Sequence, residues 1–179
     1  MRSMTGRFAV AGAVLAGIVA LAIFLLWPRH ESVTEFRAGD IAVSGPWARA
    51  TPGASRVGAA YLTITNRGMV QDRLVRAETA AAERIELHNT MTENSVMRMR
   101  PLESVALAPG QTVHFAPGGM HLMLTNLTAP LEADKEFTVR LTFERAGALE
   151  VPVRIAGVGA GGPADAGHDA GHDAGHGGH

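Results

Sequence analysis

Cysteine is absent from the 179 residues of this chain. Its absence excludes disulfides, thiolate metal sites, CxxC redox motifs and cysteine nucleophiles together. An excess of positive charge is missing as well, since 16 basic and 17 acidic residues give a formal net charge of −1. Without a basic surface to hold a phosphate backbone, nucleic-acid binding is not expected. Hydrophobic residues make up 46% and charged residues 18%, a balance typical of a globular protein.

One long uncharged segment, residues 8–27, stands near the N-terminus. At about 1.5 Å per residue, a helix of this length spans the roughly 30 Å core of a bilayer. Arg2 and Arg7 precede it, which favours a cytoplasmic N-terminus. We therefore predict that residues 1–28 anchor the chain in the inner membrane and that the rest faces the periplasm. A cleaved signal peptide, leaving a soluble periplasmic protein, is the main alternative, and a buried soluble helix is a third.

A glycine- and histidine-rich tail occupies residues 158–179 and contains the near-repeat AGHD, AGHD, AGHG. Apolar bulk is almost missing from it, so we predict that it is disordered. Its imidazoles are the kind of ligand that suits Cu(II), with Zn(II) or Ni(II) as alternatives, better than Cu(I). The tail is predicted to be a weaker, secondary metal site formed by His168, His172, His176 and His179.

The central region, residues 36–157, carries the patterns of short strands and is predicted to be the folded domain. In residues 137–143 apolar and polar side chains alternate, and a second alternation through Ile155 predicts a hairpin. Pro152 indicates that the last strand is an edge strand or contains a bulge. Glycine and proline separate the remaining apolar runs. Further strands are predicted at 41–43, 61–66, 74–77, 85–87, 96–99, 113–115 and 122–124. Without an amphipathic helix after residue 28, the pattern predicts an all-β antiparallel sandwich or small barrel.

Histidine and methionine recur on strand faces that the aliphatic residues do not use. Side chains alternate along a strand, so His121 and Met123 point away from their leucine neighbours, and His88 points away from Leu87. Met99 likewise lies opposite its arginine neighbours. Thioether sulfur and imidazole together suit Cu(I), and neutral ligands of this kind exchange one at a time. The pattern alone leaves a second interpretation open, in which the methionines fill the core and the histidines form ordinary hydrogen bonds.

The spacing His88-x10-Met99-x21-His121-x-Met123 resembles the H(M)-x10-M-x21-H-x-M signature of PCu(A)C-type periplasmic copper chaperones. The resemblance covers about residues 40–155, and the optional methionine after the first histidine is Asn89 here. The matching segments around the motif are WARA at 47–50, AYLTITN at 60–66, ELH at 86–88, VMRMRP at 96–101 and PGGMHLML at 117–124.

This resemblance implies a cupredoxin-like β-sandwich that binds one Cu(I) through His88, Met99, His121 and Met123. It further implies a carrier, not an enzyme, that delivers copper for respiratory oxidase assembly. The implied acceptor is the CuA centre of cytochrome c oxidase subunit II, reached directly or with a Sco-type copper protein.

The sequence is compatible with other functions as well. General periplasmic copper or zinc buffering through the tail is the alternative function, followed by a copper redox protein and a structural module without metal. Blue-copper electron transfer is disfavoured because its cysteine ligand is missing. Four further residues are weaker candidates for assisting metal binding: Met91, Met97, Met120 and His114.

Overall fold

A computed structural model describes residues 34–93 and 96–162 of the chain. This part of the chain is all β-structure without a helix, as the strand patterns predicted. None of its segments is a helix long and apolar enough to cross a membrane. The strands are β1 (Glu35–Ala38), β2 (Ile41–Arg49), β3 (Val57–Asn66), β4 (Asp72–Thr79), β5 (Ala82–Glu93), β6 (Val96–Leu102), β7 (Val105–Leu107), β8 (Thr112–Phe115), β9 (Met120–Leu127), β10 (Glu136–Phe143) and β11 (Gly147–Ala156).

Hydrogen bonds connect the strands in the order β6-β5-β9-β8-β3-β2-β11-β10-β4-β7, with β1 beside β2. The main hydrophobic core receives buried side chains from both halves of this order, including Leu122 and Leu124 of β9 and Val139 and Leu141 of β10. The two halves therefore face each other across the core, as in a sandwich. The antiparallel prediction is only partly right, because β11 pairs with β2 in parallel and β8 meets β9 in parallel.

The hairpin of β10 and β11 shows how alternation builds this core. Leu141 lies opposite Leu149 across the hairpin. Every second residue is buried from Val139 to Phe143 on β10 and from Val151 to Ile155 on β11. The prediction that Pro152 marks an edge strand or a bulge is wrong, since β11 lies between β10 and β2 and its register against β10 continues unbroken through Pro152. Proline is tolerated because β2 pairs only with Arg154–Ala156, beyond the position at which Pro152 lacks an N–H donor.

A bulge in β2 divides the hydrophobic residues between two clusters. The register against β3 shifts between Ser44 and Trp47, where Gly45 takes a positive φ of 56°. The extra residue turns Trp47 onto the face opposite the core residues Ile41 and Val43. Trp47 packs there on Tyr61, with ring centroids 4.6 Å apart. Both rings are buried, but in a second cluster with Ala156 and Ala160, not in the main core.

The predicted anchor at residues 8–27 and the four tail histidines lie outside the described residues. The membrane anchor, the secondary metal site in the tail and the domain boundaries that depend on them therefore stay predictions.

Candidate metal centre

Three neighbouring strands, β6, β5 and β9, bring the predicted ligands onto one face of the sheet. His88 lies directly opposite His121 across β5 and β9, and Met99 lies opposite Thr90 across β5 and β6. Met123 lies opposite Glu86, two residues before His88. Directly opposed residues of antiparallel strands share a face, as do residues two apart on one strand. All four candidate side chains therefore belong to one surface.

Burial of aliphatic residues on the other face fixes this orientation. Leu122 and Leu124 are fully buried on either side of Met123, and Leu87 is buried beside His88. A register slip of one residue would bring the leucines to the surface and the imidazoles into the core. Packing of the core thus also decides where the histidines and methionines point.

The two imidazoles meet at the centre of this face. The ring centroids of His88 and His121 are 5.7 Å apart, and the rings are inclined at 71°. Metal–imidazole bonds of about 2.0 Å place the ring centres of two ligands on one ion about 5–6 Å apart. The observed separation therefore fits two histidines that share one ion. His121 is 7% exposed, so its imidazole is shielded from bulk water.

Each imidazole is held by a hydrogen bond from one of its nitrogens. His121 Nδ1 lies 3.0 Å from the carbonyl oxygen of Gly119, in the turn before β9. Gly118 supplies the positive φ, 80°, that this turn requires. His88 Nε2 lies 3.2 Å from a carboxylate oxygen of Glu86, and its Nδ1 is buried with no hydrogen-bond partner. A buried ring nitrogen that no protein group contacts has its lone pair available for a metal ion.

Glu86 was not recognised as a functional residue from the sequence. The signal was nevertheless present, because Glu86 and His88 are two residues apart on a strand and therefore share a face. Its second carboxylate oxygen lies 3.3 Å from Arg84 Nη1, also on this face. The three side chains form a row on β5, with the carboxylate between a guanidinium and an imidazole.

The methionines supply the remaining donors. Met123 is half-buried, whereas Met99 is 59% exposed on the edge strand β6. Within residues 34–93 and 96–162, no three His, Asp or Glu side chains come together as a metal-binding group. An ion held at this face would therefore depend on the thioether sulfurs in addition to the two imidazoles.

The weaker candidates separate according to face. Met97 lies on the same face as Met99, whereas Met91 lies on the other face of β5 from His88, opposite Arg98. Met120 packs against the hydrophobic core. The Nδ1 atom of His114, on β8, lies 3.2 Å from the hydroxyl of Thr63, on β3. Of the three methionines, only Met97 shares the face of the site, and His114 lies opposite Thr63, on the face of β3 that carries Tyr61.

The second cluster, which contains Trp47 and Tyr61, borders the sheet face that carries the four candidate ligands. Met123 lies opposite Ala59 of β3, and Tyr61 follows two residues later on the same face. Burial raises the pKa of the Tyr61 phenol, and the nearby Arg49 guanidinium partly offsets this shift. The site is therefore bounded on the β3 side by a packed, neutral aromatic surface.

Solved structures share this architecture. The copper-bound PCuAC domain of PmoF2 superposes with a TM-score of 0.60 at 23% identity, covering 68% of this chain and 97% of that one. The apo PCuAC domain of PmoF1 gives a TM-score of 0.60 at 26% identity, covering 69% and 99%. Apo-DR1885 from Deinococcus radiodurans gives 0.52 at 25% identity, covering 70% and 84%.

Fold and site motif together define a domain of the PCu(A)C type, which confirms the resemblance seen in the sequence. A family model described as "Putative lipoprotein LpqE-like" matches residues 41–155, more than half of the chain. The chain belongs to this LpqE-like family. A relative, "Putative lipoprotein Lxx21020" from Leifsonia xyli subsp. xyli, is 33% identical over 150 residues, covering 83% of this chain and 88% of its own length.

Proposed function

We propose that this protein is a periplasmic copper chaperone that binds one Cu(I) through His88, Met99, His121 and Met123. The observation that carries the proposal is the edge-on pair of His88 and His121, 5.7 Å apart on a face that also presents two methionines. The existence of a copper-bound PCuAC domain of the same fold supports the choice of metal.

The chemistry of the donors supports Cu(I) and a carrier role. Thioethers are soft, uncharged ligands that favour Cu(I), and imidazole serves copper in either oxidation state. Neutral ligands leave one at a time, so an acceptor can replace them in steps while the ion remains bound. This is the behaviour of a binding and transfer protein, and the proposal assigns no catalytic residue.

Delivery to the CuA centre of cytochrome c oxidase subunit II, directly or with a Sco-type protein, is part of the proposal. Docking of an acceptor protein is supported by the exposure of the edge strand β6, where Val96, Met97 and Met99 are 53%, 69% and 59% exposed. An acceptor that docks along this strand would place its own ligand beside Met99, the most accessible of the four donors. Copper transfer from Met99 first and the buried His121 last is the expected order.

Tethering to the inner membrane by residues 8–27 completes the proposed localisation. The lipoprotein names of the family and of its Leifsonia relative support an extracytoplasmic protein. Lipid attachment through a cysteine within these 179 residues is impossible, because the sequence has none. The apolar segment is thus the anchor that the sequence offers. Fractionation tests this step: detergent-dependent extraction of the intact chain is expected, and mature protein that begins near residue 30 and needs no detergent would favour cleavage.

The histidine tail is proposed to collect Cu(II) close to the domain site. The proposal is supported by the path of the chain after β11, where Arg49 donates hydrogen bonds of 3.1 and 2.6 Å to the Ala160 carbonyl. Gly161 and Gly162 then line a surface groove together with His114 of β8 and Pro117 of the turn that leads into β9. The first residues of the tail therefore lie beside β8 and the turn that precedes β9. Cu(II) would need an external one-electron reductant before the sulfur ligands suit it.

Two measurements test the proposal. Cu(I) titration against a competing chelator, with X-ray absorption of the loaded protein, should give one ion with sulfur neighbours, and nitrogen and oxygen neighbours alone would reject the site. A chain that lacks residues 164–179 should lose Cu(II) capacity and keep its Cu(I) affinity. Unchanged Cu(II) capacity would remove the tail from the mechanism, whereas loss of Cu(I) binding together with Cu(II) capacity would favour the buffering alternative.

A further inference from the structure

The two imidazoles of the proposed copper site are held through different ring nitrogens. A carbonyl oxygen only accepts hydrogen bonds, so the Gly119 contact requires a proton on Nδ1 of His121 and leaves the lone pair on Nε2. A carboxylate also only accepts, so the Glu86 contact requires a proton on Nε2 of His88 and leaves the lone pair on Nδ1. That Nδ1 is the buried nitrogen without a partner.

Glu86 is itself oriented by its neighbours on the strand. Arg84 Nη1 lies 3.3 Å from Oε1, and His88 Nε2 lies 3.2 Å from Oε2. Because Arg84, Glu86 and His88 alternate along β5, the three side chains project from the same face. The guanidinium engages one carboxylate oxygen and directs the other at the imidazole.

We propose that Glu86 is the positioning residue of the site, fixing His88 so that it binds Cu(I) through Nδ1 while His121 binds through Nε2. The inference rests on the proposed function and adds to it the ring atoms and the residue that select them. A carboxylate on the far nitrogen fixes the tautomer and raises the basicity of a ligating imidazole. It also places one negative charge near an ion whose four ligands are neutral. The centroid separation of 5.7 Å is compatible with two imidazoles that bind one ion.

The test combines ring ¹⁵N NMR with Cu(I) competition on the full chain. In the metal-free parent, His88 should show the Nε2-protonated tautomer and His121 the Nδ1-protonated one. Cu(I) should then shift the resonances of His88 Nδ1 and His121 Nε2. Loss of a side chain that hydrogen-bonds a ligating imidazole typically lowers metal affinity about 10–100-fold. The Cu(I) affinity of Glu86→Ala should fall by a factor in this range. Glu86→Gln should recover most of the loss, because its amide oxygen accepts the same hydrogen bond.

Glu83→Ala is the matched control. It removes the same charge from β5, but the side chain that is lost accepts a hydrogen bond from Asn126. Its Cu(I) affinity and His88 tautomer should equal those of the parent. A Cu(I)-dependent shift at His88 Nε2, or parent affinity in Glu86→Ala, would overturn the role of Glu86 while leaving the four-ligand site intact. A Cu(I) titration that shifts neither imidazole would overturn both the inference and the proposed function.

Discussion

Met120 and His121 are adjacent in the sequence and lie on opposite faces of β9. Met120 packs against the hydrophobic core, whereas the His121 ring meets the edge of His88 on the other face. The same division applies on the β5–β6 hairpin, where Met91 and Met99 belong to different faces. The chain therefore contains its own controls, because methionines close to the site in sequence differ in whether they share its face.

Replacing Met123 by leucine should lower Cu(I) affinity without unfolding the domain. Leucine keeps the volume, so the free energy of unfolding should change by less than about 1.5 kcal/mol, but the sulfur donor is lost. Met120→Leu is the matched control on the core face and should bind Cu(I) like the parent. Competition titration measures both variants. Parent affinity in Met123→Leu would mean that Met123 only fills space between the strands.

Replacing the exposed Met99 by leucine should weaken Cu(I) binding and leave stability within about 0.5 kcal/mol of the parent. Met91→Leu, on the same hairpin at 44% exposure but on the opposite face, should leave both quantities unchanged. Sulfur coordination numbers from X-ray absorption provide the second readout. An equal loss of affinity in the two variants would contradict a defined ligand role for Met99.

Substituting Gly45 by alanine should destabilise the domain by about 1–2 kcal/mol, because an L side chain is strained in the left-handed region that Gly45 occupies at φ 56°. Urea denaturation measures the change. Gly159→Ala provides the control, since no atom lies within 4 Å of its Cβ position and its φ is not positive. If both variants are equally stable, the bulge does not depend on glycine.

Stability should decline at alkaline pH because of Tyr61. Burial raises its pKa in the folded protein, whereas the unfolded chain ionises near the ordinary value of about 10. The protonated phenol thus contributes stability that is complete below about pH 10 and is lost as the pH rises through the folded pKa, at up to about 1.4 kcal/mol per unit. Denaturation midpoints between pH 8 and 11 measure this loss, and Tyr61→Phe should flatten the profile. An identical slope in the variant would assign the effect to another group.

Alternation of side chains was sufficient to predict much of this protein. The strands that contain Leu87, Leu122 and Leu141 lie where the apolar period placed them, and the same period placed His121 and Met123 together on the other face. This succeeds because the direction of a side chain on an extended strand depends only on the local backbone and on which neighbours are apolar. Absence of cysteine, the ligand spacing and the family resemblance likewise needed no structure.

Tertiary structure decided what depends on partners distant in sequence. Pairing of β5 with β9 places His88 against His121, 33 positions away, and the bulge at Gly45 sends Trp47 to the second cluster. Pro152 is tolerated inside the sheet because β2 pairs with β11 only beyond this residue. Strand order and register arise from long-range packing, which local periodicity does not encode.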